Sequence, residues 1–171
     1  MTTSRGFFFQ TYAEYAVRGF LSSYDYSRYG LDGRYFRPWE GKDTATAARL
    51  KYEQLRGDAP FFLKPSLGGK YNLRAYGAGR YVDRGMAVAS VEQRFIVHRE
   101  KMAGVTAELE IAPFVELGSV FDLPKRASRR YARPAYGAAV RAVARPQVVG
   151  SVDIGVGQEG VSVFMDINYS F

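Results

Sequence analysis

From Val161 to Phe171 the odd positions Val161, Val163, Met165, Ile167, Tyr169 and Phe171 are apolar or aromatic, whereas the even ones are Ser162, Phe164, Asp166, Asn168 and Ser170. A two-residue period predicts a β-strand with one greasy face. Before the tight turn read at Gly157–Gly160, Val148, Gly150, Val152, Ile154 and Val156 face one way, with Gln147, Ser151 and Asp153 facing the other. Tyr136, Ala138, Val140 and Ala142 alternate with Gly137, Ala139 and Arg141, and Arg145-Pro146 makes the following turn. The longest strand, over 103–121, sets Val105, Ala107, Leu109, Ile111, Val115 and Leu117 against Thr106, Glu108, Glu110, Glu116 and Gly118, with Pro113 predicting a bulge or irregularity. Over 86–97, Ala87, Ala89, Val91, Phe95 and Val97 oppose Ser90, Glu92 and Arg94, and His98–Met102 reads as a polar turn.

The first third alternates less cleanly. Residues 45–56 set Ala48, Leu50 and Tyr52 against Arg49, Lys51 and Glu53, and residues 6–19 set Phe7, Phe9, Ala13, Tyr15 and Val17 against Gln10, Glu14 and Arg18. A further strand covers 25–38. The segment 57–85, rich in Gly and Pro, is too long for a hairpin turn and is the one large loop. The pattern predicts an all-β chain of about eight antiparallel strands and no helix. Full charges recur on every second residue of several faces, which a dry core would tolerate only if each were paired. Apolar residues outward against lipid and polar residues inward suit a transmembrane barrel. A soluble antiparallel barrel whose polar face meets water satisfies the same alternation.

Composition narrows the chemistry. The 171 residues contain no Cys and a single His, which removes disulfides, thiolate chemistry and multi-histidine metal sites. His98 has no Gly-x-Ser-x-Gly elbow to serve, so the chain reads as a non-enzyme without a cofactor. No stretch is long and apolar enough for a membrane helix, and the N-terminus lacks the layout of a secretory signal. Gly77-Ala-Gly79, Gly41-Lys42 and Gly69-Lys70 lack the further glycines of a nucleotide-binding loop. The net charge of +7 is scattered over the chain, which argues against nucleic acid. Arg126, Arg129, Arg130 and Arg133 do cluster, within 122–134.

Five ordered segments carry a family resemblance: Leu67-Gly-Gly-Lys-Tyr-Asn-Leu-Arg-Ala-Tyr76, Arg80-Tyr-Val-Asp83, Val91-Glu-Gln-Arg-Phe95, Phe114-Val-Glu-Leu-Gly-Ser-Val-Phe121, and a last strand ending in Phe171. Together they resemble the C-terminal half of an Omp85 outer-membrane barrel (bacterial surface antigen, BamA/TamA-like). The resemblance covers essentially the whole chain. It implies the last eight or so strands of a sixteen-stranded barrel, without the soluble POTRA domains of many members. Alone, those strands should form an open curved sheet with exposed edges at 6–19 and 161–171, because an eight-stranded barrel has no room for a loop inside.

In the family the long loop carries an Arg-Gly-aromatic motif and folds into the lumen, where the arginine meets acidic residues on two strands. The matching positions are Arg74, Ala75 and Tyr76, with Glu92 and Glu116 as acidic partners. Ala75 departs from the usual glycine, which leaves the shape of the loop tip open. Parity agrees independently, since Glu92 and Glu116 both fall on the polar face of their strands. Without the resemblance, the two carboxylates would simply solvate a wet interior. Tyr169 and Phe171 resemble the C-terminal signal read by the barrel-assembly machinery, and a terminal aromatic also suits an interface anchor.

The resemblance further implies a bacterial outer-membrane location, contact with outer-membrane lipid and lipopolysaccharide, and client outer-membrane or secreted proteins inserted or translocated by strand templating. Rival readings are a structural or pore-forming surface barrel without insertase activity, and a truncated fragment. The family's orientation places the turns near 39–43, 98–102 and 145–146 in the periplasm and the segments 57–85 and 122–134 outside.

Overall fold

The computed structural model describes residues 5–19, 21–40, 43–102, 105–122, 132–144 and 147–167. Its strands are β1 (Gly6–Arg18), β2 (Leu21–Ser22), β3 (Asp25–Pro38), β4 (Thr44–Asp58), β5 (Ser66–Leu67), β6 (Tyr81–Val82), β7 (Gly85–Met102), β8 (Val105–Phe121), β9 (Arg133–Ala144), β10 (Gln147–Gly157) and β11 (Gly160–Asp166). A single 3-10 turn at Phe61–Leu63 is the only helical element among the described residues, and none of these is a helix long and apolar enough to cross a membrane.

Eight main strands pair in the order β11-β10-β9-β8-β7-β4-β3-β1, an antiparallel meander in which chain neighbours are sheet neighbours once the 59–84 loop is set aside. The two-residue β2 covers β1 only at Val17 and Arg18. β1 and β11 lie at opposite edges, so the sheet is open.

Its curvature follows from one residue. β4 and β11 are five strand spacings apart, roughly 24 Å along a flat sheet. Yet the Tyr71 carbonyl accepts from Arg49 Nη1 of β4 at 2.6 Å while the Tyr71 hydroxyl donates to Asp166 of β11. The sheet must therefore curl around the loop, as half of a barrel does.

The two faces differ as period two requires. On the convex face Phe7, Phe9, Tyr15, Leu50, Val91, Val115, Leu117, Tyr136 and Val163 are exposed, and on the concave face Arg49, Glu53, Glu92, Glu108, Glu110, Glu116, Arg141 and Asp153 are buried. A globule that hides its charges and shows its aromatics is turned inside out for water and right way round for lipid.

Two local features differ from the sequence pattern. His98–Met102 is not a turn: β7 runs on, with His98 opposite Leu109, Arg99 opposite Glu108 and Met102 opposite Val105. The reason is a bulge between Ile96 and His98, which shifts the alternation by one and disguises the strand's polar end as a turn. Arg99 then reaches the buried Glu108 carboxylate at 2.8 Å. Residues 103–104, between the paired Met102 and Val105, lie outside the described residues. A second register shift, between Val148 and Gly150 of β10, breaks the alternation expected through Val148. Pro113 keeps its register, opposite Ala138, but pairing with β7 skips from Glu92–Phe114 to Phe95–Ile111, as a residue without an N–H requires.

Candidate functional site

The 59–84 loop enters the concave side as a compact knot. Gly68 has φ +114°, a conformation other residues resist, and an added Cβ there would overlap the Gly77 carbonyl oxygen. Its neighbour Gly69 donates its N–H to the Tyr76 carbonyl at 2.7 Å and its carbonyl accepts from the Leu73 N–H at 3.0 Å, which closes the turn that presents Arg74. Leu67, Leu73, Ala75 and Tyr76 of the loop pack with Val88 and Ala135 of the wall in one buried apolar cluster.

Arg74 is fully buried and engages three strands. Its backbone N–H and Nε donate to the two oxygens of Glu116 at 2.7 and 2.8 Å. Nη1 donates to Glu92 Oε2 at 2.6 Å and to Asp153 Oδ1 at 3.1 Å. The guanidinium carbon sits 3.5 Å from the centre of the Phe114 ring, so the face of the fork is covered as well as its edge.

The carboxylates are shared. Arg141 donates to both oxygens of Glu92 at 2.8 Å and to Glu110 at 2.7 Å, and Arg94 Nε reaches Glu92 Oε1 at 2.8 Å. Lys70 donates to Ser151 Oγ at 2.5 Å and lies 3.7 Å from Asp153 Oδ2. Arg74, Arg94, Arg141 and Lys70 thus face Glu92, Glu110, Glu116 and Asp153, a balance that matters because an uncompensated charge at such depth costs several kcal/mol.

Arg74, Glu92 and Glu116 are therefore in direct contact. Ala75 is buried, its carbonyl accepting from Ser162 Oγ of β11 at 3.1 Å. Its methyl lies where Gly157 has no side chain: a Cβ at Gly157 would come 2.9 Å from the Ala75 Cβ. The Tyr76 hydroxyl donates to the Pro134 carbonyl at 3.0 Å and accepts from the Gln158 N–H at 3.1 Å. Tyr169 and Phe171 lie outside the described residues, as do Arg126, Arg129 and Arg130. Arg133 donates to Gln158 Oε1 at 2.8 Å.

Sequence reasoning did not single out Arg141, Asp153, Lys70 or Tyr71 as parts of this site. The first two were visible on the polar faces of their strands, and asking which buried-face cations could balance Glu92 and Glu116 would have reached Arg141. Lys70 and Tyr71 carry no such signal, because loop residues have no parity.

At the mouth, Arg80 Nε and the Tyr81 hydroxyl both donate to Glu159 of the β10–β11 turn, at 2.7 and 2.6 Å. These hydrogen bonds hold the Glu159 carboxyl below its ordinary 4.5. Burial, aided by the bond to Glu159, pushes the Tyr81 phenol up to about 12. A carboxylate with a lowered folded-state pKa stabilises the docked mouth above its unfolded value and loses that effect as pH falls through the folded one. Hydrogen exchange over residues 77–84, corrected for intrinsic rates, should therefore rise in acid below about pH 4. Glu159→Gln should show the raised exchange already at neutral pH, with no further acid step. An identical acid step in the variant would assign it to another group.

The geometry of this constellation fixes a loop to a wall. A family model for the Omp85 superfamily domain matches residues 1–156. No curated protein matches the chain.

Proposed function

We propose, on the premise that the chain belongs to the Omp85 superfamily, that it is the membrane-embedded wall of an outer-membrane barrel that inserts or translocates β-rich client proteins. The observation that carries this reading is the outer edge of β1. From residues 6 to 16 that edge has no strand beside it among the described residues, since β2 meets only Val17 and Arg18. Unpaired N–H and C=O groups in a row are a template for another strand, and a membrane, which cannot solvate them, makes pairing the favoured outcome.

The Arg74 knot complements that edge. It occupies the concave side and bonds to β4, β7, β8, β10 and β11, so it sets the curvature at which the free edge is presented. In this reading the β3–β4, β7–β8 and β9–β10 connections face the periplasm and the 59–84 loop and the β8–β9 connection lie outside. The loop residues Arg74, Ala75 and Tyr76 act with Glu92 and Glu116 as a latch, and Tyr169 and Phe171 serve as the signal for the assembly machinery.

The test is reconstitution into lipid vesicles with an unfolded outer-membrane barrel as client. The chain has no cysteine, so single cysteines placed along β1 report neighbours without background. Insertion activity predicts faster client folding and disulfide cross-links between β1 and the client's terminal strand, in a register that advances by one residue as the cysteine does. Passive ion conductance with no acceleration and no cross-link would instead make the chain part of a pore.

A further inference from the structure

At the end of the sheet away from the 59–84 loop, the β1–β3 ladder closes at Gly6 and Phe36, and Arg5, the bend residue just before β1, lines one cavity with Arg37 of β3. Like charges held close together are destabilising unless something neutralises them. Among the described residues neither arginine is in an ion pair: Asp32 pairs with Arg34 and Asp43 with Arg99. Between them opens a cavity of about 620 Å³ lined by Arg5, Phe7, Tyr35, Arg37, Trp39 and Glu40.

The surroundings indicate what neutralises them. Phe7, Tyr35 and Trp39 are 69%, 46% and 48% exposed, an aromatic band at a strand end of the kind that marks the boundary between hydrocarbon and head groups. Trp39 is fixed in place, its Nε1 donating to Thr46 Oγ1 at 2.9 Å, and Arg37 lies 5.6 Å from its ring centre. Two guanidinium groups at head-group depth, on the lipid side and in no ion pair among the described residues even though Glu40 lines the same cavity, match a phosphodiester in charge and in hydrogen-bond geometry.

We propose that Arg5 and Arg37 form a binding site for the phosphate head group of an anionic glycerophospholipid, its acyl chains lying along Phe7 and Tyr35. The proposal rests on the membrane-spanning reading above, and the orientation given there assigns the lipid to the periplasmic leaflet. Such a lipid would brace the edge pair β1–β3.

Trp39 is the sole tryptophan and reports its own surroundings. The full chain is reconstituted in phosphatidylcholine vesicles containing a fixed minor fraction of brominated lipid, either brominated phosphatidylglycerol or brominated phosphatidylcholine. Brominated phosphatidylglycerol should quench Trp39 as though enriched on the order of fivefold around it, the effect of about one interfacial arginine. The Arg5→Gln, Arg37→Gln double variant should lose that preference while keeping the quenching by brominated phosphatidylcholine. Arg56→Gln, on β4 near the opposite end, should keep both. Equal quenching by the two lipids in the unsubstituted chain would overturn the head-group site and leave the membrane reading intact. No quenching by either lipid would instead overturn the membrane reading itself. A double variant that loses all quenching has left the bilayer, and the paired Arg5→Lys, Arg37→Lys variant, which keeps the charge, must then restore the phosphatidylglycerol preference or the site is refuted.

Discussion

Arg74→Ala should release the 59–84 loop from the barrel wall, with trypsin cutting at Lys70, Arg80 and Arg84 in the otherwise folded protein. The partners decide the size of the effect. Glu92 keeps Arg141 and Arg94, and Asp153 keeps Lys70 close by. Glu116 keeps only the Ser90 hydroxyl, at 3.0 Å, among the described residues. The substitution therefore strands one buried carboxylate rather than three, and removing one member of such a pair costs roughly 3–5 kcal/mol where water is kept out. That origin makes a second measurement decisive. If the stranded charge is the cause, Arg74→Ala with Glu116→Gln should be less destabilised than Arg74→Ala alone, because the carboxylate no longer needs a partner. Arg74→Lys should fall between, since an ammonium cannot reproduce the fork that spans Glu116 and Glu92. Wild-type resistance to trypsin in Arg74→Ala would refute the latch.

Gly155→Val should evict the same loop without touching a charge. Gly155 lies on the concave face of β10, and an added Cβ would overlap the Arg74 carbonyl oxygen and come within 3.0 Å of the Ala75 nitrogen. The atoms in the way are backbone, so no rotamer change relieves the overlap. The ladder itself should tolerate the change, because valine suits a strand better than glycine does. Strand content should therefore persist by circular dichroism while the loop becomes as protease-sensitive as in Arg74→Ala. Combining the two substitutions should add little to either, as expected when both remove the same docking step. Retention of a protected loop in Gly155→Val would show that the knot can slide along β10 and is not seated by this contact.

The strands were legible in the sequence because a barrel wall has only two faces, and each side chain must choose between lipid and lumen. That is why the strand over 25–38 and the parity of Glu92, Glu116, Arg141 and Asp153 could be read directly. The misreadings fall where a single extra residue, at Val97 and again between Val148 and Gly150, resets the alternation. Glycines say nothing locally about such insertions, and hydropathy says less, since Val97 is apolar in either register. The contact of Arg74 with Glu92 and Glu116 was accessible only through family resemblance joined to parity. Its third carboxylate, Asp153, needed coordinates, because the loop's depth in the lumen depends on Gly155 and Gly157 having no side chains.

The knot's seat is built almost wholly from residues that follow it in the chain. Arg74 meets Glu116 and Asp153 across 42 and 79 positions, and the Ala75 carbonyl meets Ser162 across 87. Each ladder of the meander, by contrast, joins strands adjacent in order, so the wall can zip one hairpin at a time from local encounters. The two processes run on different clocks. Assembly must carry an arginine tip held at first by Glu92 and Glu116 alone, and close over it last, when β10 brings Asp153 and the two glycines into place. A chain halted before β10 would keep the wall up to β9 and a loop seated only in part, so the full locking of Arg74 marks the completion of the fold and not its beginning.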